Sequence, residues 1–447
     1  MIGRLKALAR DDSLKGRSLR GTLWTTAGFG AASALRLFSN LVLTRLLVPE
    51  AFGLMALATV FLAGLNLMSD LGTRKSVMRS QRGEEPAFLR TAWTIQAIRG
   101  VGLGVIAALL AWPAAKLYDA PELFAVLAVM AVTPVFKGFV SISNATMGRN
   151  LDLKRVTLID LFSQIVSVAV MIYTAWLLQS VWALVIGALV GSVIKLVLSH
   201  MLLTPFKHRL LLEPEATGEI VRYGRWILLG TLFTFLGGRG ITAVHGALVP
   251  LETLGILAIS TLLVAAVEDL VHRLLTSVGF PAMAQVIRER PADLPRALNK
   301  LRYRMLLAGL AILVTVSLFA QPLIDLLYDD RYALAGAFLT LQALNGTFRI
   351  LSMPYQNAML ALGGSGPHSA VMFASAALGI SGTVAGFLLY GPYGMIMGMG
   401  LAGLVVFAIS TGFAVKGGYA NLRFDAIVLA ALVALYAWLL TTLPALP

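Results

Sequence analysis

Long apolar runs recur from one end of this 447-residue chain to the other, and many of them reach twenty residues or more. A helix needs about 20 apolar residues to cross the roughly 30 Å hydrocarbon layer of a bilayer. Only 13% of the residues are charged, against about 25% in soluble domains. The runs are continuous in Leu, Ala and Gly and lack the alternation of barrel strands. The pattern therefore predicts an all-α polytopic membrane protein.

The apolar runs predict thirteen spans, arranged as two sets of six with one more at the end. The first set lies near 21–46, 51–72, 88–111, 122–145, 156–178 and 181–203. The second lies near 223–249, 252–276, 301–320, 332–353, 367–390 and 393–415, and the last span near 425–443. Because each set is even, both halves enter the membrane in the same direction, which predicts a parallel repeat.

The predicted domains follow from these spans. They are a basic tail (1–20), an N-terminal six-helix bundle (21–203), a polar connector (204–222), a C-terminal six-helix bundle (223–416) and an extra C-terminal helix (417–447).

A short motif occurs once in each half. LVPEAFGLMAL at 47–57 is matched by LVPLETLGILA at 248–258, and Trp24 and Trp226 lie at nearly equal distances upstream. Each copy has a proline between two apolar runs, which predicts a tight helix-to-helix loop. A repeat at this fixed offset predicts two similar halves in tandem.

Lysine and arginine are concentrated on one predicted side of the membrane, in the tail, the connector and the loops 73–90, 146–155 and 285–304. The opposite side carries only Arg45, Lys116 and Arg331. The positive-inside rule then places the N-terminus in the cytoplasm. The loop 354–366, which has no basic residue, is the weak place in this assignment.

Basic residues also occur inside the predicted spans: Arg36, Arg99, Lys137, Lys195, Arg239, Arg273 and Arg349. A charge at the bilayer centre costs about 2.5–3.5 kcal/mol or more, so such residues tend to face a polar interior. Arg36 and Arg239 occupy equivalent places in the two halves and could face each other across a central cavity. For Arg273 and Arg349 the alternative is snorkelling to the interface. For Arg99 and Lys137 it is a structural bond to a carbonyl or an acid.

Acidic residues inside the spans are fewer: Asp70, Asp160, Glu268 and Asp269. The basic excess predicts an anionic substrate, and arginine suits phosphate in particular. Glu268 and Asp269 lie four residues before His272 and Arg273, so these side chains can pair along one helix. The alternative is that the acids carry a proton or a cation. Gly237, Gly238 and Gly240 beside Arg239 indicate either close helix packing or local unwinding near a substrate site.

Several classes of activity are disfavoured. The chain has no Walker A motif, and its lack of cysteine excludes disulfides and thiolate sites. His245 and His272 lack metal-ligand spacing. A membrane-embedded glycan-transferring enzyme would need paired acids and a large external loop. We therefore expect a protein that is not an enzyme, has no cofactor or metal and binds no nucleic acid; a non-transporting scaffold would not need arginines in mid-span.

Three stretches resemble the bacterial polysaccharide-export family of oligosaccharide flippases, whose superfamily includes the multidrug and toxin extruders and the lipid II flippase. They are LVPEAFGLMALATVFLAGLNLMSDLGTRKSVMR (47–79), TAWTIQAIRG (91–100) and NATMGRNLDLKR (144–155). The resemblance implies two six-helix bundles around a V-shaped cavity. Members of the family commonly have twelve or fourteen spans, whereas thirteen are predicted here, so one or two extra C-terminal helices are expected after the two bundles. It also implies alternating access and export of an undecaprenyl-diphosphate-linked oligosaccharide across the bacterial inner membrane for exopolysaccharide or O-antigen-type synthesis.

In similar flippases, cavity arginines contact the lipid diphosphate, and a Na⁺ or H⁺ gradient drives turnover. The positions that would take the substrate role here are Arg36, Arg239, Arg99, Lys137, Asn40, Lys195 and Arg349. The candidates for ion coupling are Glu268, Asp269 and Asp160. The expected partners are membrane lipids and a polysaccharide polymerase or export machinery. The alternative is a cation-coupled multidrug exporter of the same superfamily, which predicts an acidic, aromatic cavity.

Overall fold

The computed structural model describes residues 14–150, 152–203 and 206–441, and no strand occurs in these ranges. Two compact units divide between Phe235 and Leu236. The helices that begin before this boundary are α1 (Leu14–Leu46), α2 (Pro49–Met68), α3 (Thr73–Arg79), α4 (Pro86–Leu117), α5 (Pro121–Met130), α6 (Val132–Gly138), α7 (Ser143–Arg149), α8 (Leu153–Leu178), α9 (Trp182–Leu202) and α10 (Pro214–Leu236).

The helices of the second unit follow from Gly240 to Leu440. They are α11 (Gly240–Leu248), α12 (Leu251–Leu274), α13 (Phe280–Glu289), α14 (Leu294–Leu318), α15 (Ala320–Leu327), α16 (Leu334–Ala361), α17 (Ser365–Lys416) and α18 (Leu422–Leu440). Residues 1–13 of the predicted basic tail lie outside the described residues, and residues 14–20 form the start of α1.

Every predicted span overlaps helix in the described chain, but the spans near 122–145 and 223–249 are interrupted at 139–142 and 237–239. Among the described residues, eight helices are long and apolar enough to cross a membrane when α5 and α6 are counted as one. The number is up to nine if the pair α14 and α15, bent by 71°, is also counted as one span. Helices α1, α10 and α16 fall outside this count and carry several of the charged and polar residues of the predicted spans. The predicted class, an all-α multi-pass membrane protein, is confirmed.

Both copies of the LVP motif are tight helix-to-helix loops, as predicted. Helix α1 ends at Leu46 and α2 begins at Pro49, where proline needs no backbone donor. In the second copy α11 ends at Leu248, and the extended residue Val249 and then Pro250 precede α12. Residues 237–239 interrupt the helix between α10 and α11, so the glycines beside Arg239 mark a local break in the helix.

The start of α10 packs into the core of the first unit. Ala216 and Ile220 belong to a buried cluster that also contains Val77, Phe88 and Trp93. Further along α10, a Cβ on Gly224 would lie 2.6 Å from the Leu71 carbonyl oxygen, and Thr231 Oγ1 donates to the Leu67 carbonyl at 2.7 Å. The compact units therefore divide within the predicted seventh span. The predicted domain boundaries, which assign 223–249 to the second bundle, stay a prediction.

Helix α16 is the central element of the second unit and is buried along almost its whole length. The two arms of α17 turn at Tyr390 and Gly391, where a φ of +61° suits glycine. The arms are so close that a Cβ at Gly386 would lie 1.9 Å from the Gly394 carbonyl oxygen, and the absence of a side chain on glycine permits this approach. This turn separates the two spans predicted at 367–390 and 393–415.

A buried polar triad joins three helices of the second unit. Arg302 of α14 forms an ion pair with Asp425 of α18, and their side chains are only 1% and 6% exposed. The hydroxyl of Tyr355 on α16 donates to Asp425 Oδ2 at 2.5 Å and accepts from Arg302. The triad therefore connects the last described helix to the centre of its unit.

Candidate functional site

Two facing polar stripes in the first unit border a cavity of about 450 Å³, which we call the polar cavity. On α8 the stripe is Asp160, Ser163, Gln164 and Ser167, and on α9 it is Ala188, Gly191, Ser192 and Lys195. In both helices the spacing is i, i+3, i+4, i+7, which places the four residues on one helix face. The remaining lining residues are Arg74, Gln96, Lys137, Val140, Ser141, Ile142, Asn144 and Ala145.

Small residues bring α8 and α9 together beside the polar cavity. Ser167 Oγ donates to the Gly187 carbonyl at 2.7 Å, and a Cβ on Gly191 would lie 2.8 Å from the Ser167 Cβ. Such close approach of small residues is the usual way in which membrane helices associate. Gln164 Nε2 also donates to the Ala32 carbonyl at 3.0 Å, which connects α8 to α1.

The position of Lys137 follows from the contact between α4 and α6. A Cβ on Gly100 would lie 2.7 Å from the Gly138 Cα, so both positions require glycine. One turn earlier on α4, Gln96 Nε2 donates to the carbonyls of Gly138 at 2.9 Å and Val140 at 3.0 Å. The end of α6, and Lys137 with it, is thereby held at the polar cavity.

The polar cavity carries more positive than negative charge. Arg74, Lys137 and Lys195 line it together with one carboxylate, Asp160, whose Oδ1 lies 2.6 Å from Lys195 Nζ. Ser163 is buried, and neither its hydroxyl nor the Asn144 Oδ1 has a hydrogen-bond partner among the described residues. Since unpaired buried polar atoms are costly, these groups favour a ligand that is anionic and rich in hydroxyl groups.

The connector contacts the lining of the polar cavity through His208. The backbone N–H of Ile142 donates to His208 Nε2 at 3.4 Å, and Ser141 Oγ lies 3.3 Å from the same atom. The His208 ring lies 4.7 Å from that of His200. Burial, and secondarily the charge of His200, lowers the pKa of His208 to about 4. At neutral pH the imidazole is therefore uncharged and accepts the Ile142 hydrogen bond.

Of the residues predicted for substrate binding or ion coupling, the structure brings Lys137, Lys195 and Asp160 together at the polar cavity. Arg99 instead binds the C-terminal end of α2. Its Nε donates to Ser69 Oγ at 3.0 Å and its Nη2 to the Asn66 carbonyl at 2.6 Å. A guanidinium at a helix C-terminus stabilises the exposed carbonyls. Arg99 therefore forms the kind of structural bond to a carbonyl that was the alternative to substrate binding.

The other predicted residues are not among those that line the polar cavity. Arg349 Nε donates to Glu268 Oε1 at 2.8 Å, so Glu268 of α12 has a partner on α16. Asp269 is exposed on α12. Arg36 is exposed and Asn40 half-buried on α1 of the first unit, whereas Arg239 is exposed in the second unit. Their roles in a substrate cavity stay a prediction.

The cavity also contains residues that were not predicted from the sequence, namely Arg74, Ser141, Asn144 and the serines of the two stripes. Ser163 and Ser167 continue the helical spacing that starts at Asp160, and this periodicity is visible in the sequence. Arg74 was counted only as a loop charge, although the fold of α3 places it at the cavity.

Comparison with known proteins identifies the family of this chain. The family model described as "Polysaccharide biosynthesis protein" matches residues 42–335. The chain belongs to the polysaccharide biosynthesis protein family. The resemblance noted in the sequence is thereby confirmed. The chain is also similar to the lipopolysaccharide biosynthesis protein WzxC of Escherichia coli K12. The two are 18% identical over 354 residues, and the alignment covers 78% of this chain and 71% of WzxC.

Two solved structures show the fold of this family member. The lipid II flippase MurJ, in an inward closed conformation, matches with a TM-score of 0.73 at 15% identity, over 95% of this chain and 94% of MurJ. An inward-facing multidrug resistance transporter of the MATE family matches with a TM-score of 0.65 at 12% identity, over 90% of this chain and 96% of the transporter. The chain therefore has the fold shared by these two proteins.

Proposed function

We propose that this polysaccharide biosynthesis protein is a flippase. It moves an undecaprenyl-diphosphate-linked oligosaccharide from the cytoplasmic to the periplasmic leaflet of the bacterial inner membrane, for exopolysaccharide or O-antigen-type synthesis. The N-terminus is cytoplasmic, and a polysaccharide polymerase or export machinery takes over the product. The observation that carries the proposal is a polar, predominantly basic cavity bordered by two apolar, membrane-length helices, α8 and α9.

The chemistry of the polar cavity supports this substrate. Lysine and arginine form charge-assisted hydrogen bonds with diphosphate oxygens, and Arg74, Lys137 and Lys195 lie at the cavity. Serine, asparagine and glutamine side chains offer donors and acceptors for sugar hydroxyls. A volume of about 450 Å³ lies in the range of roughly 300–1,000 Å³ for small-molecule sites. We assign the cavity to the diphosphate and the sugar next to it, with the rest of the glycan outside.

The alternative is a cation-coupled multidrug exporter, which the fold shared with a MATE transporter favours. A cavity for cationic drugs needs an excess of negative charge. The polar cavity has one carboxylate, Asp160, against three basic side chains. Like-charge contacts would therefore disfavour a cationic drug there, and we prefer the flippase. A Na⁺ or H⁺ gradient is the proposed energy source in both cases.

The proposal is tested in a strain from which the gene has been deleted. We expect lipid-linked oligosaccharide to accumulate in that strain and polymer secretion to stop. Complementation with the unaltered chain should restore secretion. The variants Arg36→Ala and Arg239→Ala should reach the membrane at normal levels but should not restore secretion. Arg331→Ala, at an exposed site outside the predicted spans, is the control that should complement. Normal secretion in the deletion strain would refute the function. Normal secretion with both arginine variants would refute only the predicted role of Arg36 and Arg239 in substrate binding.

A further inference from the structure

We propose that Asp160 competes with the substrate's anionic group for Lys195 and thereby sets how fast the polar cavity releases its ligand. This inference rests on the proposed function and adds to it a release role for one acidic residue. It starts from the ion pair between Asp160 Oδ1 and Lys195 Nζ, at 2.6 Å, inside a cavity that otherwise favours anions.

The Asp160–Lys195 pair is open to the cavity. The side chains of Lys195 and Asp160 are 37% and 47% exposed, and both line the cavity. The pair of Arg302 and Asp425 in the second unit is sealed, with 1% and 6% exposure. A ligand can therefore reach Lys195 without dismantling the packing, whereas a sealed pair is a fixed part of the fold.

The two partners also lie at matching depths in their helices. Asp160 is seven residues from the start of α8 and Lys195 seven residues from the end of α9, which corresponds to about 10 Å from each helix end. The start of α8 follows the loop 146–155 and the end of α9 leads into the connector 204–222, and both segments are predicted to lie on the cytoplasmic side. An anionic group that enters from that side meets Lys195 with Asp160 already bound to it.

The other charged groups at the cavity are Arg74 and Lys137. A bound phosphate gains attraction from all three basic side chains but is repelled by the carboxylate beside Lys195. When the phosphate leaves, Asp160 regains Lys195, so the lysine is not left unpaired. Because the Asp160 carboxylate can replace the substrate phosphate at Lys195, the affinity for the substrate is lower and its release is faster. A carrier needs such release on the side of the membrane where it delivers its substrate.

Asparagine at position 160 removes the competing charge and keeps the size of the side chain. We expect Asp160→Asn to bind inorganic pyrophosphate about tenfold more tightly than the unaltered chain, as expected for loss of one like-charge contact. Lys195→Gln should bind it more weakly. In the double variant Asp160→Asn/Lys195→Gln the gain from Asp160→Asn should largely vanish, because Asp160 acts through Lys195. The control Asp152→Asn, at an exposed position just before α8, should not change binding.

The measurement is calorimetric titration of the purified full-length chain with pyrophosphate at pH 7.5, together with flipping of lipid-linked oligosaccharide in vesicles. Asp160→Asn should lower both KM and kcat, and Asp160→Ser provides a second test if the first variant folds poorly. Unchanged or weaker pyrophosphate binding by these variants would overturn the competitor role while the flippase stands. Flipping without any pyrophosphate binding would overturn the competitor role as well. Absence of flipping by the unaltered chain would instead overturn the proposed function.

Discussion

Replacing Asp425 by asparagine should destabilise the second unit strongly, because it leaves the buried Arg302 guanidinium without a counter-charge. The two side chains are 6% and 1% exposed, so water cannot solvate the arginine. Breaking a buried ion pair by removing one partner costs about 3–5 kcal/mol. That cost corresponds to a fall of roughly a hundred- to several-thousand-fold in the ratio of folded to unfolded protein.

The melting temperature of the purified chain in detergent measures this effect. For a unit of this size, about 2–4 °C is lost for each kcal/mol, so Asp425→Asn should melt roughly 6–20 °C lower. The matched control is Asp293→Asn, whose partner Arg296 is 3.9 Å away and 91% exposed. This exposed pair should contribute less than about 1 kcal/mol. An Asp425→Asn variant that melts within about 2 °C of the control would refute the reasoning.

Two further predictions concern the first unit. Because the folded chain holds the pKa of His208 near 4, the unfolded chain takes up the proton first as the pH falls below about 6.5. The contribution of His208 to stability should therefore be complete above that pH and lost towards pH 4. A plot of melting temperature against pH should be flatter for His208→Asn than for the unaltered chain, and parallel curves would contradict this. Gly100→Val should separate α4 from α6, since even a Cβ would lie 2.7 Å from the Gly138 Cα. This variant should therefore lose pyrophosphate binding. Gly102→Val, at a position with open space around it, should bind pyrophosphate normally.

The helices and the loops between them were predictable from the sequence because membrane burial and proline chemistry are local. Apolar length alone placed the spans, and the two LVP motifs marked loops at Leu47 and Val249 that the structure shows. The glycines beside Arg239 indicated the break at 237–239. None of these features depends on which helices are neighbours.

The pairing of charges was not predictable, since the sequence gives the depth of a residue in its helix but not the helix that it faces. Lys195 and Asp160 were assigned to different roles, yet they form one ion pair. Arg302 belongs to the predicted cytoplasmic loop 285–304, yet it is buried against Asp425. A search for polar residues at helical spacing, starting from Asp160, would have indicated the stripe on α8.

The most direct test of the central claim is flipping by the purified chain in proteoliposomes. A fluorescent undecaprenyl-diphosphate oligosaccharide in the inner leaflet should become accessible to an external quencher at a rate that depends on the protein. Lys137→Gln together with Lys195→Gln should reduce this rate at least tenfold, as expected when two charge-assisted contacts to phosphate are lost. A rate equal to that of protein-free vesicles for the unaltered chain would contradict the account.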